Sequence, residues 1–264
     1  MKKTFKISYT LLVFLFLYAP IAVLIVFSFN KSSVIGNWTG FTFDWYNVLF
    51  NDERILSALS TTMTVAILSA LFATILGTLT AFALSKMKKG MRSLFLNIAY
   101  LPMLNPEIVT GISLLVLYVM IAKFIPLQPG YMTLLLSHIT FNIPYVILSV
   151  LPKLGQLNRN VYEAALDLGA PPRTAFFKVI FPEVMPSIIT GFILAFTLSF
   201  DDFVISYFTC GTEVTTLPLI IYSMTKRGIK PEINALSAIM FIVVLLLLVV
   251  VNLRSTKNTK EYAK

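Results

Sequence analysis

Six stretches of this chain are apolar for long enough to cross a bilayer. Ile7 to Asn30 contains no charged residue. Arg54 and Lys86 bracket a second uncharged stretch, with its apolar core over 56–84. The third, Ser93 to Ile121, is interrupted by Pro102, Pro106 and Glu107. Met132 to Leu151 is the fourth. The fifth, Val184 to Ile205, runs into Asp201 and Asp202, and Ile233 to Leu253 is the sixth and cleanest. A transmembrane helix needs about 20 mostly apolar residues. The pattern therefore predicts an all-α membrane protein with six transmembrane helices, one transmembrane domain over 1–264. The first stretch follows Lys2, Lys3 and Lys6, as a secretory signal would. Its apolar run exceeds the roughly 7–15 residues of a signal core, and no small-x-small cleavage site follows, so it reads as a retained span.

Composition narrows the alternatives. Hydrophobic residues make up 57% of the chain and charged residues only 12%, where a soluble domain carries about 25% charged residues. With 22 Phe and a mean hydropathy of +0.84, a disordered chain or an ordinary soluble core is excluded. A single Cys, Cys210, rules out an intrachain disulfide and a Cys-rich metal site, and a single His, His138, rules out a multi-histidine centre.

The net charge of +9 is mostly topological. The N-terminal tail, the 86–92 loop, the 152–183 loop and the C-terminal tail share one side in a six-span layout and hold 15 of the 21 Lys and Arg residues. The 31–55, 122–131 and 206–232 loops hold the other 6, among them the cluster Lys226, Arg227 and Lys230. Basic residues concentrate on the cytoplasmic side, so both termini are expected inside. A nucleic-acid partner is not needed to explain the charge.

The 152–183 loop is long for a connection and reads as structured. Asn158 or Asn160 suits the cap of a short helix over 161–168. Gly169 is a stop suited to a left-handed backbone. Pro171 and Pro172 suit the start of a second helix over 173–180, ended before Pro182. Glu163-Ala164-Ala165, three residues, Gly169, nine residues and then Val179-Ile180-Phe181-Pro182 resembles the EAA loop of binding-protein-dependent ABC importer permeases. Val179 and Phe181 stand where that family commonly has Ile and Leu. Further segments resemble the spermidine/putrescine branch of the family: Asn105 to Val109, Ser137 to Phe141, Leu198 to Asp202, Ile221 to Met224, and Phe41-Thr42 with Trp45-Tyr46.

The resemblance implies a MetI-like ABC importer permease fold in the bacterial inner membrane, with Glu163, Ala164, Ala165 and Gly169 as docking positions for an ATPase. It also implies an assembly: a homologous second permease, a dimeric cytoplasmic ATPase that binds ATP and Mg, and a periplasmic polyamine-binding protein. This chain has no GxxxxGK[ST] sequence, so it is expected to hold no cofactor and to hydrolyse no ATP itself.

Three carboxylates are candidates for the substrate path. Glu107 lies inside a span, where an ionisable residue is costly and usually faces a cavity or pathway. The nearby Pro102 and Pro106 free backbone carbonyls that suit a polyamine cation. Structural pairing or an interfacial position are the other readings of Glu107. Asp201 and Asp202 repel each other unless hydrated or neutralised by a cation. Tyr207, Phe200 or Phe203 could offer an ammonium an aromatic face. Because adjacent helical residues do not share a face, at most one of the two Asp residues points into a route. A solvated helix end or a binding-protein contact is the alternative, and Glu213 reads as an outer-loop surface residue. His138 reads as a hydrogen-bonded packing residue. Cys210 has no catalytic partner. Trp38, Trp45 and Tyr46 suit an outer interfacial belt and a lid-like loop. Ser69, Ala70, Ala73, Gly77 and Ala81 suit a close-packed helix seam. An importer of another small solute, or a stand-alone secondary transporter, would share the spans; the latter leaves the EAA-like spacing unexplained.

Overall fold

The computed structural model describes residues 2–32, 37–125, 127–226 and 231–261. Arg227 and Lys230 of the outer cluster, and Lys264 of the C-terminal tail, lie outside the described residues. The described residues are mostly helical, with one isolated bridge between Asn30 and Phe41. In chain order the helices are α1 (Lys2–Phe27), α2 (Asp44–Asn51), α3 (Glu53–Lys86), α4 (Lys89–Leu104), α5 (Glu107–Ile121), α6 (Tyr131–Gln156) and α7 (Arg159–Asp167). There follow α8 (Pro172–Ala175), a π-helical turn (Phe176–Ile180), α9 (Phe181–Phe200), α10 (Val204–Thr209), α11 (Leu217–Lys226) and α12 (Pro231–Glu261).

The expected six spans resolve less simply. Four helical stretches, over 7–27, 53–86, 131–156 and 172–200, are long and apolar enough to cross a membrane. The expected third span is two helices, α4 and α5, bent by 103° at Asn105–Pro106; counted as one span they make five. Pro106 cannot donate a helix hydrogen bond, and it biases Asn105 to the extended backbone observed there, so the chain turns instead of continuing. In α12 the described apolar portion is the shorter Pro231–Leu246.

The chain divides into two compact units. One comprises Met1–Ala58 and Leu217–Val249, the other Leu59–Thr216 and Val250–Lys264. In the first, α1 is apolar all round and none of its apolar window is buried by protein, as befits a helix whose solvent is lipid. The loop after it is tied down. The Trp45 indole donates to the Asn30 carbonyl at 2.8 Å, and the Tyr46 and Ser28 hydroxyls meet at 2.7 Å. Phe29 stacks on Phe41 and on Tyr46, each at 5.2 Å. Trp38 meets Phe27 edge-on and is half exposed.

The second unit is built on α3, α6 and α9. Along the middle of α3 a run of small residues is fully buried: Ala66, Ser69, Ala70, Ala73 and Ala81. This is the expected seam. Without a hydrophobic drive between helices in lipid, close backbone approach and dispersion packing must supply the attraction. Val146 of α6 sits at the tightest point. A Cβ on Gly77 of α3 would lie 2.7 Å from the Val146 Cβ, and one on Gly191 of α9 would lie 3.3 Å from its Cγ1. Glycine on both flanks lets three helices close on one valine.

Candidate functional site

The segment expected to couple to a partner folds much as its residues predict. The Asn158 side chain caps α7, accepting the Asn160 N–H at 3.0 Å. At the other end Gly169 adopts φ +83°. The Ala170 N–H returns to the Ala165 carbonyl at 3.1 Å and the Gly169 N–H to that of Leu166 at 2.9 Å, the paired bonds of a Schellman ending. Glu163, Ala164 and Gly169 are exposed and Ala165 is half-buried. Leu168, which the sequence reading passed over, is the most exposed apolar residue here, at 89%. Its only sequence signal was an apolar residue placed just before a helix-ending glycine.

The expected stop before Pro182 is not observed. Helix α8, with Pro172 in its first turn, runs through the π turn directly into α9. The Phe181 N–H reaches back five residues to the Phe176 carbonyl. This wider register accommodates a proline that would otherwise break the hydrogen-bond ladder and crowd the carbonyl four residues before it. The turn is packed by rings: Phe176 meets Phe82 of α3 at 5.2 Å and Phe177 at 5.2 Å. Helix is thus continuous from α8 into α9, while α7, which carries the positions expected to couple, is set off from it by the turn at Gly169.

The carboxylates separate into two kinds. Glu107 is the first residue of α5, exposed, just past the 103° bend. Its charge is favourable at a helix N-terminus. Asp201 caps the C-terminal end of α9 and is also exposed. The charge of Glu107 reaches both Asp201 and the Tyr145 hydroxyl of α6, so these three groups share one region. The side chains of Tyr207, exposed, and Phe203 lie next along the chain, with ring centroids 5.7 Å apart. Tyr145 had no sequence signal; only the packing of α6 brings it here.

Asp202 differs from the expectation of a second path carboxylate. It is turned into the protein. Its carboxylate accepts the N–H groups of Ile205 at 3.2 Å and Ser206 at 2.7 Å, capping α10. With Asp201 ending one helix and Asp202 starting the next, one carboxylate faces out and the other in. Phe200 is likewise unavailable to a cation, being buried and stacked on Phe196 at 5.8 Å.

His138 is the buried polar residue that the sequence predicts, with more partners than expected. Its Nδ1 meets Ser199 Oγ at 2.5 Å, and its Nε2 meets Ser206 Oγ at 3.1 Å and Asp202 Oδ2 at 3.5 Å. Ser69 Oγ of α3 donates to Ser199 Oγ at 2.9 Å. One proton assignment satisfies the chain: Ser69 donates to Ser199, Ser199 to Nδ1, and the Nε2–H points at Ser206 and Asp202. Beside it on α6, Ser137 meets the Tyr118 hydroxyl of α5 at 2.9 Å, and more than a turn earlier Thr133 donates to the Thr209 carbonyl of α10 at 2.8 Å. Cys210 is buried and free, and no group of three or more possible metal ligands occurs among the described residues.

Comparison with known proteins supplies the context. A family model described as "Binding-protein-dependent transport system inner membrane component" matches residues 73–255. The chain is 41% identical to the spermidine/putrescine transport system permease protein PotC of Escherichia coli K12, over 94% of this chain and 92% of that one. It is 40% identical to the putrescine transport system permease protein PotI of the same strain, over 90% and 86%. A crystal structure of a bacterial ABC transporter involved in the import of the acidic polysaccharide alginate superimposes with a TM-score of 0.72, at 21% identity, covering 96% of this chain and 94% of that one.

Proposed function

The chain belongs to the binding-protein-dependent transport system inner membrane component family, and from that membership we propose that it is the permease subunit of an ATP-driven importer of spermidine, putrescine or both. It is a transport component rather than an enzyme, and it has the fold of an ABC importer permease. The observation that carries the cargo assignment is the likeness, along nearly the whole chain, to two polyamine permeases. The chemistry of the exposed pair supports it. Glu107 and Asp201 are two exposed carboxylates within electrostatic reach of each other, and Tyr207 is exposed as well. Such a pair is complementary to a multiply charged amine and unfavourable to an anion.

In this reading the whole of 1–264 acts as one permease domain and forms half of the passage, with a homologous permease forming the other half. A periplasmic polyamine-binding protein delivers cargo, as a binding-protein-dependent system requires. A dimeric ATPase in the cytoplasm binds ATP and Mg²⁺ and docks on the 152–183 segment through Glu163, Ala164, Ala165 and Gly169. Both termini face the cytoplasm, supported by the 15-to-6 division of basic residues. Motion of the docked segment passes from α7 across the Gly169 turn to α8 and along the continuous helix into α9, which ends at Phe200, next to Asp201. Alternating access then follows from two packings of the permease pair biased by nucleotide.

Uptake by Glu107→Gln and Asp201→Asn in the complete complex tests the path assignment. Losing a charge-assisted contact of about 1.5–3 kcal/mol predicts roughly a tenfold or greater loss of spermidine uptake for each, with assembly intact. Wild-type kinetics in both would remove these carboxylates from the path.

A further inference from the structure

Only one imidazole exists in this chain, and it spans a break between two helices. α9 ends at Phe200 and α10 starts at Val204, leaving Asp201–Phe203 as the corner. His138 of α6 holds both sides of that corner, Ser199 before it through Nδ1 and Ser206 and Asp202 after it through Nε2. The ring is 1% exposed, and Ser69 anchors the same chain of hydrogen bonds to α3. Such a network is costly unless every member is satisfied, and a satisfied one fixes a single geometry.

That geometry decides which of two adjacent carboxylates is available. Asp202 is drawn inward by the Ile205 and Ser206 amides and by the imidazole, so Asp201 is left facing out. Helix α10 also sets the position of Glu107. α5 packs on α10 with Gly111 against the Phe208 ring, where a Cβ would lie 2.7 Å from a ring carbon. The α10 helix seated on His138 is thus linked both to the corner that bears Asp201 and, through α5, to the helix that begins at Glu107.

We propose that His138 is a positioning residue for cargo selection: by stapling the α9–α10 corner it directs Asp201 towards Glu107 and so fixes the spacing of cationic charges that the path accepts. This rests on the reading of Glu107 and Asp201 as path carboxylates. It predicts that loosening the staple alters discrimination between a short diamine and a longer polyamine, rather than lowering all transport alike.

The test is uptake of putrescine and spermidine by the complete reconstituted complex. The readout is the ratio of their kcat/KM values in the wild type, His138→Ala and the milder Ser199→Ala, each with and without Asp201→Asn. The binding protein is the same throughout, so its own preference cancels between variants. A displacement near 1 Å can cost a well-placed group about 100-fold, so the ratio is expected to change by roughly tenfold in His138→Ala and less in Ser199→Ala. In the Asp201→Asn background neither variant should change the ratio further. His138→Gln, whose amide reaches towards Ser206 and Asp202, should recover part of the wild-type ratio.

A ratio that stays at the wild-type value in both His138→Ala and Ser199→Ala overturns the proposal. So does an equal change with and without Asp201. If His138→Ala fails to assemble, Ser199→Ala carries the same comparison, since it removes a single oxygen. If Asp201→Asn alone transports as the wild type does, the path reading itself falls and the staple falls with it, an outcome distinct from the other two.

Discussion

Replacing Gly169 tests the coupling segment with unusually little side-chain interference. At φ +83° the residue is in the left-handed region, and a Cβ there would meet nothing within 4 Å. Substitution therefore acts through the backbone alone. For an L-residue the left-handed conformation costs about 1–2 kcal/mol. Alanine returns about 0.4–1 kcal/mol of that by restricting the unfolded chain. The net cost to the turn is about 1 kcal/mol, which raises the population of misfolded turns by roughly fivefold. Valine adds β-branching and should be worse; asparagine tolerates the conformation and should be mildest. The expected order of loss is Asn, then Ala, then Val, in both uptake and cargo-stimulated ATP hydrolysis, at equal membrane abundance. The paired bonds from Gly169 and Ala170 hold the end of α7, so the exposed Glu163 and Ala164 shift with them. Wild-type coupling in Gly169→Val would refute the claim that this turn presents a docking surface.

Other outcomes follow from the same packing. Gly77→Ala places a methyl 2.7 Å from the Val146 Cβ, and overpacking of this kind costs about 1–3 kcal/mol. A lower Tm in detergent is expected, restored in part by Val146→Ala; failure of that rescue would show that the three-helix seam is not the cause. Gly211→Ala meets the Pro129 carbonyl at φ +69°, and backbone cannot yield as a side chain does. Little folded protein is expected in membranes, and normal abundance would contradict it. If the 89%-exposed Leu168 extends the docking surface beside Gly169, Leu168→Ser weakens co-purification of the ATPase without lowering membrane abundance; unchanged co-purification would show that it makes no docking contact.

Local chemistry made much of this structure legible in advance. The Asn158 cap, the left-handed Gly169, Pro172 in the first turn of α8 and the small-residue seam on α3 are each set by a few neighbouring residues. His138 was readable as a packing residue because a lone imidazole in an apolar span needs hydrogen-bond partners, though not which ones. What stayed hidden depends on residues distant in sequence. Pro106 signals a break but not a turn of 103°. Pro182 reads as a stop, yet a π turn packed on Phe82 carries the helix through it. Two adjacent aspartates look equivalent until α10 claims one as its cap and α6 supplies a histidine beside it. Tyr145 joins the carboxylates only because α6 packs on both α5 and α9.

The central claim is ATP-driven import of a polyamine, and the most direct measurement is ATP hydrolysis by the complete complex in liposomes. Its binding protein should be present, with spermidine and putrescine titrated against neutral solutes and amino acids. The account predicts stimulation by polyamines alone, accompanied by their accumulation inside the vesicles. Stimulation by a different solute would contradict the cargo assignment, and polyamine uptake indifferent to ATP would contradict the coupling.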